Sequence, residues 1–126
     1  MLFSRNKKKV LIIDDDRCLL RQISVHLEKH GLDTIVAESG EDGLVIVNKQ
    51  RLDLIILDWT LPGIQGIEIL ATLKETKKSK NIPILMLTGR TKIGDAEDAF
   101  ELGADAYMFK PFSLKRLGEK SSLLMK

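Results

Sequence analysis

Cysteine is nearly missing from this chain: Cys18 stands alone among 126 residues. No internal disulfide can form, so the fold must rest on burial and hydrogen bonding, and a reducing cytoplasm is the expected location. Cys18 itself reads as a small helix residue without a redox role. Aromatic residues are scarce at 5%, with Trp59 the only tryptophan, and the net charge is only +2. That combination argues against a basic, aromatic-interleaved surface for nucleic acid. Long apolar runs are also missing. None approaches the ~20 residues needed to cross a bilayer, so no membrane association is expected. Lys7-Lys8-Lys9 before Val10 to Ile13 faintly resembles a secretion signal, but the apolar part is too short and ends in acids. The basic clusters from Arg5 to Lys9 and from Lys74 to Lys80 read as solvated loops and helix ends.

What is present is acid in an unusual place. Asp14, Asp15 and Asp16 follow the apolar run Val10-Leu11-Ile12-Ile13 directly. Such a run reads as a strand buried on both faces. Like charges at its end repel one another unless a cation is bound there. The pattern returns at Leu54-Ile55-Ile56-Leu57-Asp58. Two buried strands ending in acid suggest one shared pocket.

The remaining segments alternate. Leu19, Leu20, Ile23 and Leu27 recur at helical spacing, with Asp16 as cap and His30-Gly31 as stop. Thr34 to Ala37 reads as a strand. Gly40 to Gln50 reads as a helix with Leu44 and Val47 inward, and Leu54 to Leu57 as a strand. Leu61-Pro62-Gly63 is a break, followed by a helix over Ile67 to Leu73. Ile84 to Leu87 is a strand ending at Thr88-Gly89. Asp95 to Leu102 is a helix stopped by Gly103, and Ala106 to Phe109 is a strand before Lys110-Pro111. A last helix, capped by Ser113, carries Leu114, Leu117, Leu123 and Leu124. Five strands alternating with five helices predict an α/β fold, a parallel sheet with helices on both faces, in a single domain over 1–126.

In a parallel sheet the C-terminal strand ends share one edge, where ligands of open α/β sheets bind. Asp14 to Asp16, Asp58, Thr88 and Lys110 all fall at that edge. Carboxylates from two strands can hold a hard cation, Mg²⁺ being the expected one. Lys110 adds a point charge and Thr88 a hydroxyl. Together they suit the handling of a phosphoryl group, with one carboxylate as nucleophile.

These segments resemble the receiver domain of two-component response regulators, and the resemblance covers essentially the whole chain. It is carried by Ile13-Asp14-Asp15-Asp16, by Leu57-Asp58-Trp59-Thr60-Leu61-Pro62-Gly63-Ile64-Gln65-Gly66, by Leu87-Thr88-Gly89, and by Gly103-Ala104-Asp105-Ala106-Tyr107-Met108-Phe109-Lys110-Pro111-Phe112. It implies a flavodoxin-like, doubly wound sheet of strand order 2-1-3-4-5. Asp58 would accept a phosphoryl group from a sensor histidine kinase or phosphotransfer protein. Asp14 and Asp15 would organise Mg²⁺, with Asp15 a direct ligand and Asp58 and the backbone carbonyl of Thr60 completing the protein set. Thr88 and Lys110 match the switch residues and Tyr107 the rotating aromatic.

Phosphorylation would shift the surface of the last two strands and helices toward an output domain or downstream protein. The resemblance implies no direct nucleic-acid contact by this domain. It implies a monomer or a phosphorylation-dependent dimer, and no enzyme activity beyond self-phosphorylation and self-dephosphorylation. It further implies a cis Lys110-Pro111 bond, and it places Thr60 and Arg90 where the hydrolytic water approaches. Gln65 stands where many relatives carry an acid. Trp59, as in the chemotaxis regulator, follows the acceptor and reads as a partly exposed wall of the pocket. Phe100 to Tyr107 resembles receivers of winged-helix transcription factors, although Ala106 stands where that subfamily usually has an acid.

Two other readings fit parts of the pattern. Asp14-x-Asp16 resembles the opening motif of haloacid-dehalogenase-like phosphatases, which would make Asp14 the nucleophile and Asp16 the general acid. Cys18 at the position that prefers Thr or Val, the lack of a late acidic pair and the lack of room for a cap domain oppose it. A pseudo-receiver that binds partners without being phosphorylated is the third reading.

Overall fold

The computed structural model describes residues 7–89 and 95–126. Within them, β1 (Lys9–Ile13), α1 (Arg17–Lys29), β2 (Asp33–Ala37), α2 (Gly40–Lys49), β3 (Leu54–Asp58), α3 (Gly66–Glu75), β4 (Ile84–Thr88), α4 (Asp95–Glu101), β5 (Ala106–Phe109) and α5 (Leu114–Leu124) follow in order. All strand pairs are parallel, and the order across the sheet is β2-β1-β3-β4-β5. This is the expected flavodoxin-like arrangement. Of the basic cluster at the start, Arg5 lies outside the described residues.

Side chains alternate across a strand, so each inner strand feeds two cores. Leu11, Ile13, Ile55, Leu57, Ile84 and Met86 face one layer, with Val47 of α2, Ile69, Leu70 and Leu73 of α3, and Ala99 of α4. Val10, Ile12, Leu54, Ile56, Leu85 and Leu87 face the other, with Leu20, Ile23 and Leu27 of α1 and Leu117 of α5. Every residue of β3 and β4 is buried. A strand enclosed this way has no tolerance for slippage, because a one-residue shift would exchange its two faces. That register fixes where Asp58 and Thr88 emerge.

Three apolar positions have exposures that the local sequence pattern does not set. The edge strand β2 is only half covered, and Val36 remains 44% exposed, because no strand pairs with its outer side. Leu123 is 65% exposed, while Ser121 occupies the inward position of the last turn of α5 and returns its hydroxyl to the Leu117 carbonyl at 2.7 Å. Trp59 is buried rather than partly exposed, packed into the layer of α2, α3 and α4.

Local chemistry sets the helix starts nearest the sheet edge. Asp16 accepts the Leu19 backbone N–H at 3.1 Å, so it is the expected N-cap. Gln65 opens α3, its backbone N–H donating to Glu68 at 3.3 Å and its side-chain amide to the Leu61 carbonyl at 3.0 Å. Gly66 closes the loop after β3 by donating to the Trp59 carbonyl at 2.8 Å. A Cβ at Gly66 would lie 2.0 Å from the Asp58 carbonyl oxygen and 2.8 Å from the Trp59 Cα. Those neighbours are backbone and cannot swing away. Gly31, by contrast, holds a φ of 85° in open space.

The two glycines therefore separate two costs. Gly66→Ala should destabilise by about 3 kcal/mol, the upper end for forcing an atom into a packed region. Gly31→Ala should lose about 1–2 kcal/mol, the cost of left-handed backbone alone. Urea unfolding of both variants measures the difference. Equal losses would show that the approach of α3 to β3 is not tight.

Candidate functional site

The acids, the hydroxyl and the lysine meet at the C-terminal edge of the sheet. Asp14 follows β1 and is tied to β2 by its N–H, which donates to the Ala37 carbonyl at 3.1 Å. Asp58 ends β3, and the next residue locks onto β4 through the Trp59 N–H to the Leu87 carbonyl at 3.1 Å. Lys110 follows β5, and its N–H donates to the Thr88 carbonyl at 2.8 Å. The Lys110–Pro111 bond is cis, as the resemblance implied. Asp14, Asp58 and Thr88 are buried, whereas Asp15 is exposed.

Hydrogen bonding distinguishes the carboxylates. Asp14 is engaged at both oxygens: Oδ2 accepts from Lys110 Nζ at 2.8 Å and Oδ1 from the Asp16 N–H at 2.9 Å. Asp58 has longer contacts, with Lys110 Nζ at 3.5 Å from Oδ2 and the Thr60 N–H at 3.4 Å from Oδ1. Asp16 points its carboxylate at the start of α1 instead.

Electrostatics follow from that geometry. Burial, and then the neighbouring Asp14 charge, push the Asp58 carboxyl up to about 6 from 3.8, although Lys110 and the Thr60 N–H pull it down. For Lys110, burial opposes the charged form, but the bond to Asp14 and the charges of Asp58 and Asp14 outweigh it, so its pKa is raised. Ligand oxygens of Asp14, Asp15 and Asp58 lie within 4.8 Å of one another. Octahedral Mg²⁺ with bonds of about 2.1 Å spaces its oxygens roughly 3–4 Å apart, so the cluster fits such an ion with small adjustments. Three carboxylates against the one ammonium of Lys110 leave a charge of minus two, which a divalent cation balances.

Tyr107, half-buried on β5, sits in an aromatic group that the sequence pattern did not reveal. Its ring centre is 5.0 Å from Phe109, 6.4 Å from Trp59 and 6.5 Å from Phe100. Phe109 and Phe100 are about half exposed. The two-residue spacing of Tyr107 and Phe109 was the available signal, since it places both on one sheet face. A second missed contact is Lys74, whose Nζ donates to the Ile82 carbonyl at 3.0 Å and meets Asp105 at 3.3 Å. Asp105 in turn accepts the Ile84 N–H at 2.8 Å and so steadies the start of β4. Arg90 lies outside the described residues.

Comparison with known proteins agrees with this geometry. The response regulator receiver domain profile matches residues 10–121. The chain is 37% identical over 119 residues to the alkaline phosphatase synthesis transcriptional regulatory protein PhoP of Bacillus subtilis, covering 94% of this chain and 49% of that protein. It is 40% identical over 107 residues to the heme response regulator HssR of Staphylococcus epidermidis, covering 85% and 46%. The chain thus spans about half the length of these curated relatives. Among solved structures, a putative response regulator from Chloroflexus aurantiacus superposes with a TM-score of 0.90 at 32% identity, covering 95% of this chain and 98% of the other. A CheY-like receiver domain protein from Methanospirillum hungatei gives 0.90 at 28%, covering 95% and 94%. Profile, relatives and fold converge, and the chain belongs to the response regulator receiver domain family.

Proposed function

We propose that Asp58 is the phospho-acceptor of a single receiver domain in two-component signalling. The observation that carries this choice is the unequal engagement of the carboxylates. Both Asp14 oxygens are held at 2.8 and 2.9 Å, whereas the Asp58 carboxylate meets Thr60 N–H at 3.4 Å and Lys110 at 3.5 Å among the described residues. Asp58 ends β3, between Asp14, which follows the neighbouring β1, and Thr88, which ends β4. In the transfer, an Asp58 oxygen forms the new bond to phosphorus while the phosphorus–nitrogen bond of a phosphohistidine donor breaks. Lys110 would then stabilise the added oxygens with its charge, and Thr88 with its hydroxyl.

Asp15 is the natural direct ligand for Mg²⁺, because it is exposed and Asp14 is occupied by Lys110. Asp14 would orient the site, and Asp58 and the Thr60 carbonyl would complete the protein ligands. Mg²⁺, when bound, neutralises phosphoryl oxygens. Turnover would be confined to the chain's own phosphorylation and dephosphorylation. A histidine kinase or phosphotransfer protein is the upstream partner, and an output domain or separate protein is the downstream one. The phosphatase reading loses its general acid, since Asp16 caps α1.

Treatment with acetyl phosphate and Mg²⁺ should place one phosphoryl group on Asp58, found by mass spectrometry of the trapped adduct. Asp58→Asn should abolish it with the fold intact. Label on Asp14 would transfer the argument to the phosphatase reading, and no label on wild type would favour a pseudo-receiver.

Metal binding separates Asp15 from structural roles. Asp15→Asn should weaken Mg²⁺ binding by at least roughly tenfold, the loss that removing even a hydrogen-bond partner of a ligand brings. It should also raise thermal stability in chelator, because one repelling charge is gone. Trp59, adjoining Asp58, should report the titration by fluorescence. Unchanged Mg²⁺ affinity would remove Asp15 from the ligand set.

The Tyr107 aromatic group is the proposed relay to the surface of α4, β5 and α5. Thr88 would move toward the phosphoryl oxygens and Tyr107 inward behind it, as a shift between two packings. Beryllofluoride should therefore perturb backbone NMR signals of β5 and α5 in wild type, and far less in Thr88→Ala. Perturbation confined to residues around Asp58 in wild type would contradict the relay.

A further inference from the structure

The chain's two histidines stand four residues apart, His26 in the last turn of α1 and His30 as its C-cap. That spacing puts both on one helix face, one turn apart. Their ring centres are 4.7 Å apart, with the planes tilted by 43°. With metal–nitrogen bonds of about 2.0–2.1 Å, two imidazoles on one ion hold their ring centres roughly 4.5–5.3 Å apart. The ring spacing falls in that range.

Tautomer chemistry points the same way. His30 Nδ1 lies 2.9 Å from the His26 carbonyl oxygen. A carbonyl only accepts, so Nδ1 carries the hydrogen, and in the neutral ring Nε2 keeps the lone pair. A backbone carbonyl on the opposite ring nitrogen is the arrangement that orients metal-binding histidines. On His26, the Nε2 edge lies against Gly118 of α5, where a Cβ would come within 3.2 Å of Nε2. No side chain of residue 118 stands between that nitrogen and α5.

Both rings line a groove of about 550 Å³ between α1 and α5, together with Leu27, Leu32, Glu119 and Leu123. Leu32 directly precedes β2, so the groove opens at the edge of the sheet opposite Asp58. The charged neighbours are Glu119, Lys115 and Lys126. The lysines weaken cation binding and Glu119 offsets part of that. We propose that His26 and His30 chelate one borderline transition-metal ion, with Zn²⁺ as the reference case and water filling its other positions. Imidazole selects such ions, whereas Mg²⁺ prefers the oxygens of the acidic cluster, so the two sites divide by ligand chemistry.

The test is Zn²⁺ titration of the full chain with Mg²⁺ saturating, followed by calorimetry and by long-range ¹H–¹⁵N spectra of the imidazoles. Wild type should bind one equivalent and shift the Nε2 signals of both histidines. His30→Ala, at an exposed position, should keep the fold and lose at least roughly tenfold in affinity, again by comparison with the loss of a ligand's hydrogen-bond partner. Asp15→Asn should bind Zn²⁺ as wild type does. Unchanged affinity in His30→Ala, loss only in Asp15→Asn, or binding without imidazole shifts would each overturn the proposal.

Discussion

Lys110 reaches between two buried carboxylates, 2.8 Å from Asp14 and 3.5 Å from Asp58, and the character of the site depends on that contact. Two like charges about 4 Å apart repel by roughly 4 kcal/mol near a protein surface, where the effective dielectric constant is about 20. One ammonium shared between them offsets part of that repulsion. It does so unequally, because the closer bond goes to Asp14. Asp58 is left with burial largely unbalanced, and its carboxyl rises to about 6. The folded state then holds more protons than the unfolded chain between pH 3.8 and about 6. Metal-free stability should fall as pH rises through that window, and the full penalty applies above it. A divalent cation relieves the same penalty, so the geometry couples metal binding to readiness for phosphoryl transfer.

The sheet makes this arrangement possible. β3 and β4 are wholly buried, so their register cannot slip, and the strand ends present Asp58 and Thr88 at fixed positions. Gly66 brings the start of α3 against the backbone of Asp58 and Trp59, closing the loop that carries Thr60. The Lys110 N–H joins the same edge through the Thr88 carbonyl. Repulsion at the edge is borne by two apolar layers, one on each face. Truncating a single buried leucine or isoleucine in such layers costs about 2–5 kcal/mol, comparable to the repulsion they must hold.

Much of this is legible in the sequence. Strands buried on both faces read as unbroken apolar runs, and helices announced themselves through caps such as Asp16 and Ser113. Strand ends in a parallel sheet converge, so the placement of Asp14, Asp58, Thr88 and Lys110 on one edge followed from element order. The rest depended on neighbours distant in the chain. Val36 is half exposed because its strand is an edge, which no local pattern reveals. Leu123 is exposed while Ser121 is buried, because Ser121 satisfies its hydroxyl on the helix backbone. The Lys74–Asp105 contact joins residues 31 positions apart, and the preference of Lys110 for Asp14 over Asp58 is a matter of a fraction of an ångström.

Burial and the Asp14 charge, only partly offset by an unevenly shared Lys110, raise the Asp58 carboxyl to about 6, and a bound cation should lower it. The most direct test is the ¹³C resonance of that carboxyl, followed against pH first in chelator and then with Mg²⁺ saturating. The titration midpoint should lie at about 6 without metal and move to lower pH with Mg²⁺. A midpoint near the ordinary 3.8, unmoved by Mg²⁺, would contradict the account.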